Sequence, residues 1–243
     1  MKILLTLFCL SLPLCGYSQD MPPTYPTHYF TFIETDSTSY PVIYPDQRFR
    51  DIIAKQYQNT HKLAKQIEVY GLKNQQIDFL HRLKDNKKKW SLELTNGEEI
   101  TFGPNPGSYI ADYNFEYYYP SIEMIVFRAQ WEEGNNYLVV SRKSGNKTSM
   151  YGPPVFSPSQ KYAISYNGSE FASHNKNGIQ LFKLTNKGLK KIIEYETDLA
   201  PSRIKWEKDD TFSLEMYDSR IVKKKGMIRT YQHYATKIKE TNY

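Results

Sequence analysis

Cysteine is nearly missing from this 243-residue chain: Cys9 and Cys15 are the only two, and both lie close to the start. If that start is cleaved, the mature chain holds no thiol, which excludes a disulfide framework and a thiolate nucleophile. Long apolar runs are missing too. The one sustained run, residues 3–14, is too short to span a bilayer as a helix, so no membrane-spanning segment is expected. No glycine-rich phosphate loop and no Gly-x-Ser-x-Gly elbow occurs, which leaves phosphate-loop and hydrolase-elbow chemistry without a motif. The five histidines, His28, His61, His81, His174 and His233, include no pair at metal-ligand spacing with a carboxylate partner, and no cofactor or metal is expected.

Aromatic residues are what the chain has instead. Apolar residues amount to only 40%, yet 21 tyrosines and 12 phenylalanines can supply much of the buried area, and flat rings pack well on pleated strands. The low hydropathy therefore reads as a tyrosine-rich globular protein, long enough for a core in one domain with a small appendage. Met1-Lys2 followed by the apolar run has the form of a signal peptide, with Gly16 and Ser18 placing the cut before Gln19. Residues 1–18 would then be removed and the product would be soluble and exported, periplasmic or extracellular. A lipoprotein cut before Cys15 is the alternative, disfavoured by the bulk of Leu14. The net charge of +6 falls to +5 without Lys2. Lys87-Lys88-Lys89 and Lys223-Lys224-Lys225 abut expected strand ends and read as solvated turns and guards against aggregation. Export also tells against a nucleic-acid partner.

Along the chain, residues 19–45 are rich in proline, threonine and tyrosine and predict an extended leader with one edge strand over 29–34. Residues 46–86 predict a helical pair. Phe49, Ile52, Ile53, Tyr57, Leu63, Ile67 and Tyr70 keep helical spacing, with Asp46 to cap the start and Gly71 to end the helix. Asn74 would cap a second helix carrying Ile77, Leu80 and Leu83. Residues 87–243 predict a β-rich domain. The clearest hairpin is 90–102, where a three-residue loop over 95–97 with Gly97 left-handed would pair Leu92 with Ile100 and Trp90 with Phe102. Further strands are expected over 122–127, 137–141, 148–151, 162–166, 178–185, 189–195, 204–206, 212–216 and 228–235.

A repeat underlies the second half. Trp131, Phe156 and Trp206 are each followed six residues later by an aromatic, Tyr137, Tyr162 and Phe212, that opens an apolar strand. The stretch Val155-Phe156-Ser157-Pro158-Ser159-Gln160-Lys161-Tyr162, with 178–184 and the pair Trp206 and Phe212, resembles the WD-type and Tol-type β-propeller repeats over roughly residues 120–217. In those families the turn reads Ser-Pro-Asp-Gly-Lys; here Ser159-Gln160 stands for Asp-Gly. The 50 residues from Phe156 to Trp206 match one four-stranded blade, whereas the 25 from Trp131 to Phe156 match half of one. The resemblance implies a mainly β protein: a partial or degenerate propeller-like antiparallel meander preceded by the helical pair, with three or four blades, and a β-sandwich as the alternative.

No constellation points to catalysis. Ser144 with Lys147, and Ser202 with Lys205, fit Ser-x-x-Lys but fall on a hairpin turn and a strand, where the lysine is not one helical turn away. Glu98-Glu99, Glu132-Glu133 and Asp209-Asp210 are neighbours whose side chains cannot face each other across a glycosidic bond, although acids from separate turns could meet at one mouth of a propeller. Tyr117-Tyr118-Tyr119 reads as packing between blades or as an aromatic anchor for a partner. The favoured reading is an exported non-catalytic binding module with a protein partner. The alternatives are a carbohydrate-binding protein or glycoside hydrolase, and an envelope immunity or inhibitor protein.

Overall fold

The computed structural model describes residues 28–35, 60–131, 134–168, 177–222 and 226–240. The expected signal peptide, the rest of the leader, helix positions 46–59, the Glu132-Glu133 pair, His174 and Lys223–Lys225 lie outside the described residues.

Fifteen described strands form four antiparallel sheets that follow one another in chain order. The first sheet is β2 (Leu80–Arg82), β3 (Trp90–Glu93) and β4 (Glu99–Phe102). The second is β5 (Asp112–Tyr119), β6 (Met124–Gln130), β7 (Asn135–Ser141) and β8 (Lys147–Met150). The third is β9 (Val155–Phe156), β10 (Tyr162–Asn167), β11 (Gly178–Thr185) and β12 (Gly188–Glu196). The fourth joins β13 (Ala200–Lys208), β14 (Thr211–Val222) and β15 (Gly226–Glu240) to the far end of the chain, because β1 (His28–Thr35) pairs with β15 from His28↔Glu240 to Thr35↔His233. The expected edge strand is thus the outer strand of the last sheet.

Alternating side chains explain the stacking. In β6, Ile125 and Phe127 join Trp90, Leu92 and Phe102 in a core between the first and second sheets. Met124 and Val126 of the same strand face the third sheet, where they meet Ala163, Phe182 and Leu189. In the third sheet Ile164, Ile179 and Leu181 face Ile204, Phe212, Leu214 and Ile238 of the fourth. Strands buried on both faces need apolar residues without alternation, which is why 125–127 and 138–140 are unbroken apolar runs. Three cores therefore join four sheets in series. This is the propeller-like meander, mainly β; the two-sheet sandwich is not formed.

The hairpin over 90–102 takes the three-residue loop, with Trp90↔Phe102, Leu92↔Ile100 and Gly97 at φ +83°. Burial selects that register, since it puts Trp90, Leu92 and Phe102 on one face. The helical pair needs correction. One described helix, α1, spans Thr60–Asn74, and the second is absent: Leu80 lies in β2 opposite Leu92. Ile77 and Leu80 both reach the first core from a turn and a strand, so their three-residue spacing never had to be helical. Gly71 does not end α1. It lies inside it, where a Cβ would come within 2.7 Å of Phe115 Cε1, so glycine is what lets the helix seat on β5. The helix stops instead at Gln76, left-handed at φ 50°, with Ile77 N–H donating to Leu72 O and Gln76 N–H to Lys73 O. Asn74 is no N-cap; its side-chain amide donates to Tyr70 O.

The repeat is corrected at one of its three marks. Phe156 and Trp206 occupy first strands of successive sheets, facing Ala163 and Phe212 in the second strands. Trp131 instead follows the second strand of its sheet. The counterpart of Phe156 in the second sheet is Tyr119, opposite Met124 and 4.8 Å from the Phe156 ring. Successive first turns also touch: Ser121 Oγ donates to Gln160 Oε1 and Ser159 N–H to Asp209 Oδ1. Gln160, at the glycine position of the propeller turn, has φ 61°, so the backbone keeps the left-handed shape that the side chain disfavours.

Candidate interaction surface

A register shift between Phe115 and Tyr117 comes just before the tyrosine run. Glu116 is buried by it and pairs with Arg128, Nε to Oε1 2.7 Å. Tyr118 turns into the first core, 8% exposed, and donates to Glu123 Oε2 at 2.5 Å. Burial, and then that carboxylate, push its phenol up to about 12. Tyr117 and Tyr119 point the other way, rings 4.9 Å apart and half-buried beside Phe156. The structure thus brings two of the three together and seats the third between sheets.

Two polar clusters fasten the first sheet to the second. Beside α1, Arg82 pairs with Glu68 (2.7 Å) and Asp112 (3.0 Å) and donates to Tyr113 O. Burial alone would lower the Arg82 pKa, but the hydrogen bonds it donates to Glu68 and Asp112 raise it. The helix also satisfies the free edge of β5, since Gln75 bonds both Tyr118 N and O, and Glu68 accepts from Phe115 N. At the opposite rim Arg142 lies 3.8 Å over the Phe79 ring, donates to Glu93 O and pairs with Glu123. Sequence spacing carries no signal for either cluster, because the partners are far apart in the chain.

Beside that second cluster is a small cleft of about 150 Å³, lined by Asp78, Phe79, His81, Ser91, Glu93, Gly97 and Glu99. Glu93 and Glu99 face each other across the hairpin, and Ser91 donates to Glu99. A site for a drug-sized ligand typically needs a few hundred Å³, so this one suits a single side chain or a few waters. Among the described residues no three histidine, cysteine or acidic side chains cluster as a metal site. His28 and His233 stand at opposite ends of the β1–β15 ladder, one beside Glu240 and the other beside Glu215, and His81 is on the first sheet. Ser144 donates to Lys187 O and Ser202 to Glu215. Asp209 accepts from Ser159, which holds its pKa down, and Asp210 pairs with Lys237.

The outward face of the fourth sheet carries two of the exposed large apolar side chains among the described residues, Ile33 and Tyr231. Phe30, Phe32 and Tyr234 pack inward. Ile33, on the opposite face of the same strand, is 68% exposed and Tyr231 is 48% exposed. Tyr231 stacks on Tyr217 at 5.7 Å, with the Arg229 guanidinium 5.1 Å from the Tyr217 ring. Around them Arg203–Glu215, Lys205–Glu207 and Lys237–Asp210 pair off, leaving the rim charged but balanced. Here β14 and β15 outrun their neighbours: pairing with β13 stops at Tyr217 and with β1 at His233, while the β14–β15 ladder continues to Val222↔Gly226. This surface was hidden from sequence reading because it needs β1 to pair with β15. No helix among the described residues is long and apolar enough to cross a membrane.

No protein-family model matches the chain, and no curated protein matches it in sequence. Among solved structures it is similar to a protein described as TolB from Agrobacterium tumefaciens, at 8% identity and a TM-score of 0.28, covering 69% of this chain and 75% of that one. It is also similar to the subtype N11 neuraminidase-like protein of A/flat-faced bat/Peru/033/2010 (H18N11), at 12% identity and a TM-score of 0.27, covering 64% of this chain and 56% of that one.

Proposed function

We propose that the chain is an exported, non-catalytic binding module that offers the outward face of its fourth sheet to a protein partner. The observation that carries this reading is the exposure of Ile33 and Tyr231 on one flat sheet face, ringed by paired charges. Apolar and aromatic anchors within a polar rim are the anatomy of a protein interface. Two supports are independent of that face: the signal-peptide form of residues 1–18, and the series of sheets, a scaffold on which edges and loops can vary without disturbing the cores. Tyr117 and Tyr119, half-buried where two sheets meet, are the second contact region of this reading.

A photo-cross-linking residue in place of Tyr231 tests it in envelope fractions. One discrete adduct is expected, lost when Ile33→Asp is added, and absent when the cross-linker replaces Tyr195 on the third sheet. No adduct, or one indifferent to Ile33→Asp, would remove the reading.

A further inference from the structure

We propose that the rim formed by the β2–β3 turn and the start of α1 docks on an anionic phospholipid surface. The turn exposes Lys84, Lys87, Lys88 and Lys89 together, while Lys65 of α1, nearly half exposed, is already paired with Glu68 and Asp112. The turn's one exposed acid is Asp85, while Asp112 and Glu68 are partly or fully buried and already held by Arg82. The lysines are fixed in place rather than trailing. Arg82 donates to Lys87 O, Lys89 N–H to Asn86 O, Leu83 N–H to Lys89 O, and Lys88 N–H to the Asn86 side chain. Arg82 also donates to Tyr113 O, four residues along the chain from Tyr109, which is 71% exposed and edge-on to Trp131 at 5.5 Å.

Charge complementarity selects the partner. Adjacent lysines on a convex turn act as point charges with no groove between them and no free guanidinium fork, which suits a diffuse anionic layer better than a shaped ligand. The exposed Tyr109 is an amphipathic side chain of the kind favoured at a headgroup boundary. The small cleft lies at the other end of the first sheet, by Gly97, and the protein-binding face is on the fourth sheet, so this rim can act independently of both.

The test is co-sedimentation of the full mature chain with phosphatidylcholine vesicles, with and without phosphatidylglycerol. Binding is expected only to the anionic vesicles, and should be lost as salt shortens the screening length. Lys87→Ser/Lys88→Ser/Lys89→Ser should weaken partitioning on the order of 100-fold, taking about one kcal/mol for each lysine. Tyr109→Ala should weaken it several-fold while leaving the salt dependence intact. Lys205→Ser/Lys237→Ser, on the fourth sheet, should leave it unchanged. Equal binding to both vesicle types, no binding to either, or an unaltered triple variant would overturn the proposal. Tighter binding to soluble polyglutamate than to anionic vesicles would replace the lipid by an acidic polymer.

Discussion

The two inner sheets and the two end sheets are built differently. The second and third each take four consecutive strands, so that every neighbour in the sheet is also a neighbour in the chain. The first and fourth each receive only three from their own stretch. The fourth is completed by β1, a backbone ladder across about two hundred residues of chain. Between the first and the second lies α1, where Glu68 reaches Arg82 of the first sheet while Glu68 and Gln75 bond the open edge of β5 in the second, as another strand's backbone would do. A ladder spreads its stabilisation over many amides, whereas the helix concentrates it in a few side chains, and point substitutions should therefore be felt most sharply where α1 joins the first sheet to the second.

Glu68→Ala is the strongest test of that difference. It leaves Arg82 buried with one carboxylate instead of two and removes the acceptor for Phe115 N, so a loss of about 3 kcal/mol is expected in urea unfolding. Gly71→Ala comes next, with helix propensity and packing opposed. Alanine gains about 1 kcal/mol of propensity. The new methyl would meet a fully buried ring at 2.7 Å, and a net loss of about 1–2 kcal/mol is expected because overpacking prevails. A stabilised variant would mean that α1 is not seated on β5.

The paired first turns sharpen the contrast further. Glu123 and Gln160 share a left-handed backbone, φ 57° and 61°. Glu123 accepts from Tyr118 and Arg142 and helps clamp the first sheet, while Gln160 makes one exposed contact to Ser121. Glycine relieves the same strain at both positions, so Gln160→Gly should stabilise by up to about 1 kcal/mol and Glu123→Gly should destabilise by about 1–2 kcal/mol. Equal signs would show that the clamp contributes little.

The smallest effect concerns the passage between the inner sheets. Burial alone would raise the Glu194 pKa, yet hydrogen bonds from Lys191, Tyr151 and Gln180 bring it from 4.5 down to about 2. A carboxylate depressed by folding contributes stability that is complete above its ordinary value and disappears as pH falls through the folded one. Wild type should therefore exceed Glu194→Gln at neutral pH, with the gap closing between about pH 4.5 and 2. The gap will be modest, since the group is about a third exposed and screened by solvent.

Local chemistry made part of this architecture legible in advance. The register of the 90–102 hairpin follows from which pairing buries Trp90 and Leu92, and the blade length follows from Phe156 and Trp206, because the first is decided within one hairpin and the second by equivalent strands of consecutive sheets. What depended on distant partners was not legible. Gly71 reads as a helix end until Phe115 is brought against it, and the spacing of Ile77 and Leu80 reads as helical until β3 offers Leu80 a partner. The tyrosine run illustrates the middle case: its aromatic character marks a junction of sheets, but only the shift after Phe115 decides which ring is buried.

Pairing of β1 with β15 is what completes the fourth sheet, and a disulfide tests it most directly. With Cys9 and Cys15 replaced, or removed with the expected signal peptide, Ile33→Cys and Ala235→Cys place thiols directly opposite each other on the outward face of β1 and β15. Mild oxidation should cross-link this pair rapidly in the folded chain, and the pair Ile33→Cys with Lys237→Cys, one step along the same face, far more slowly. Equal rates for the two pairs, or no cross-link in the first, would mean that β1 does not complete the fourth sheet.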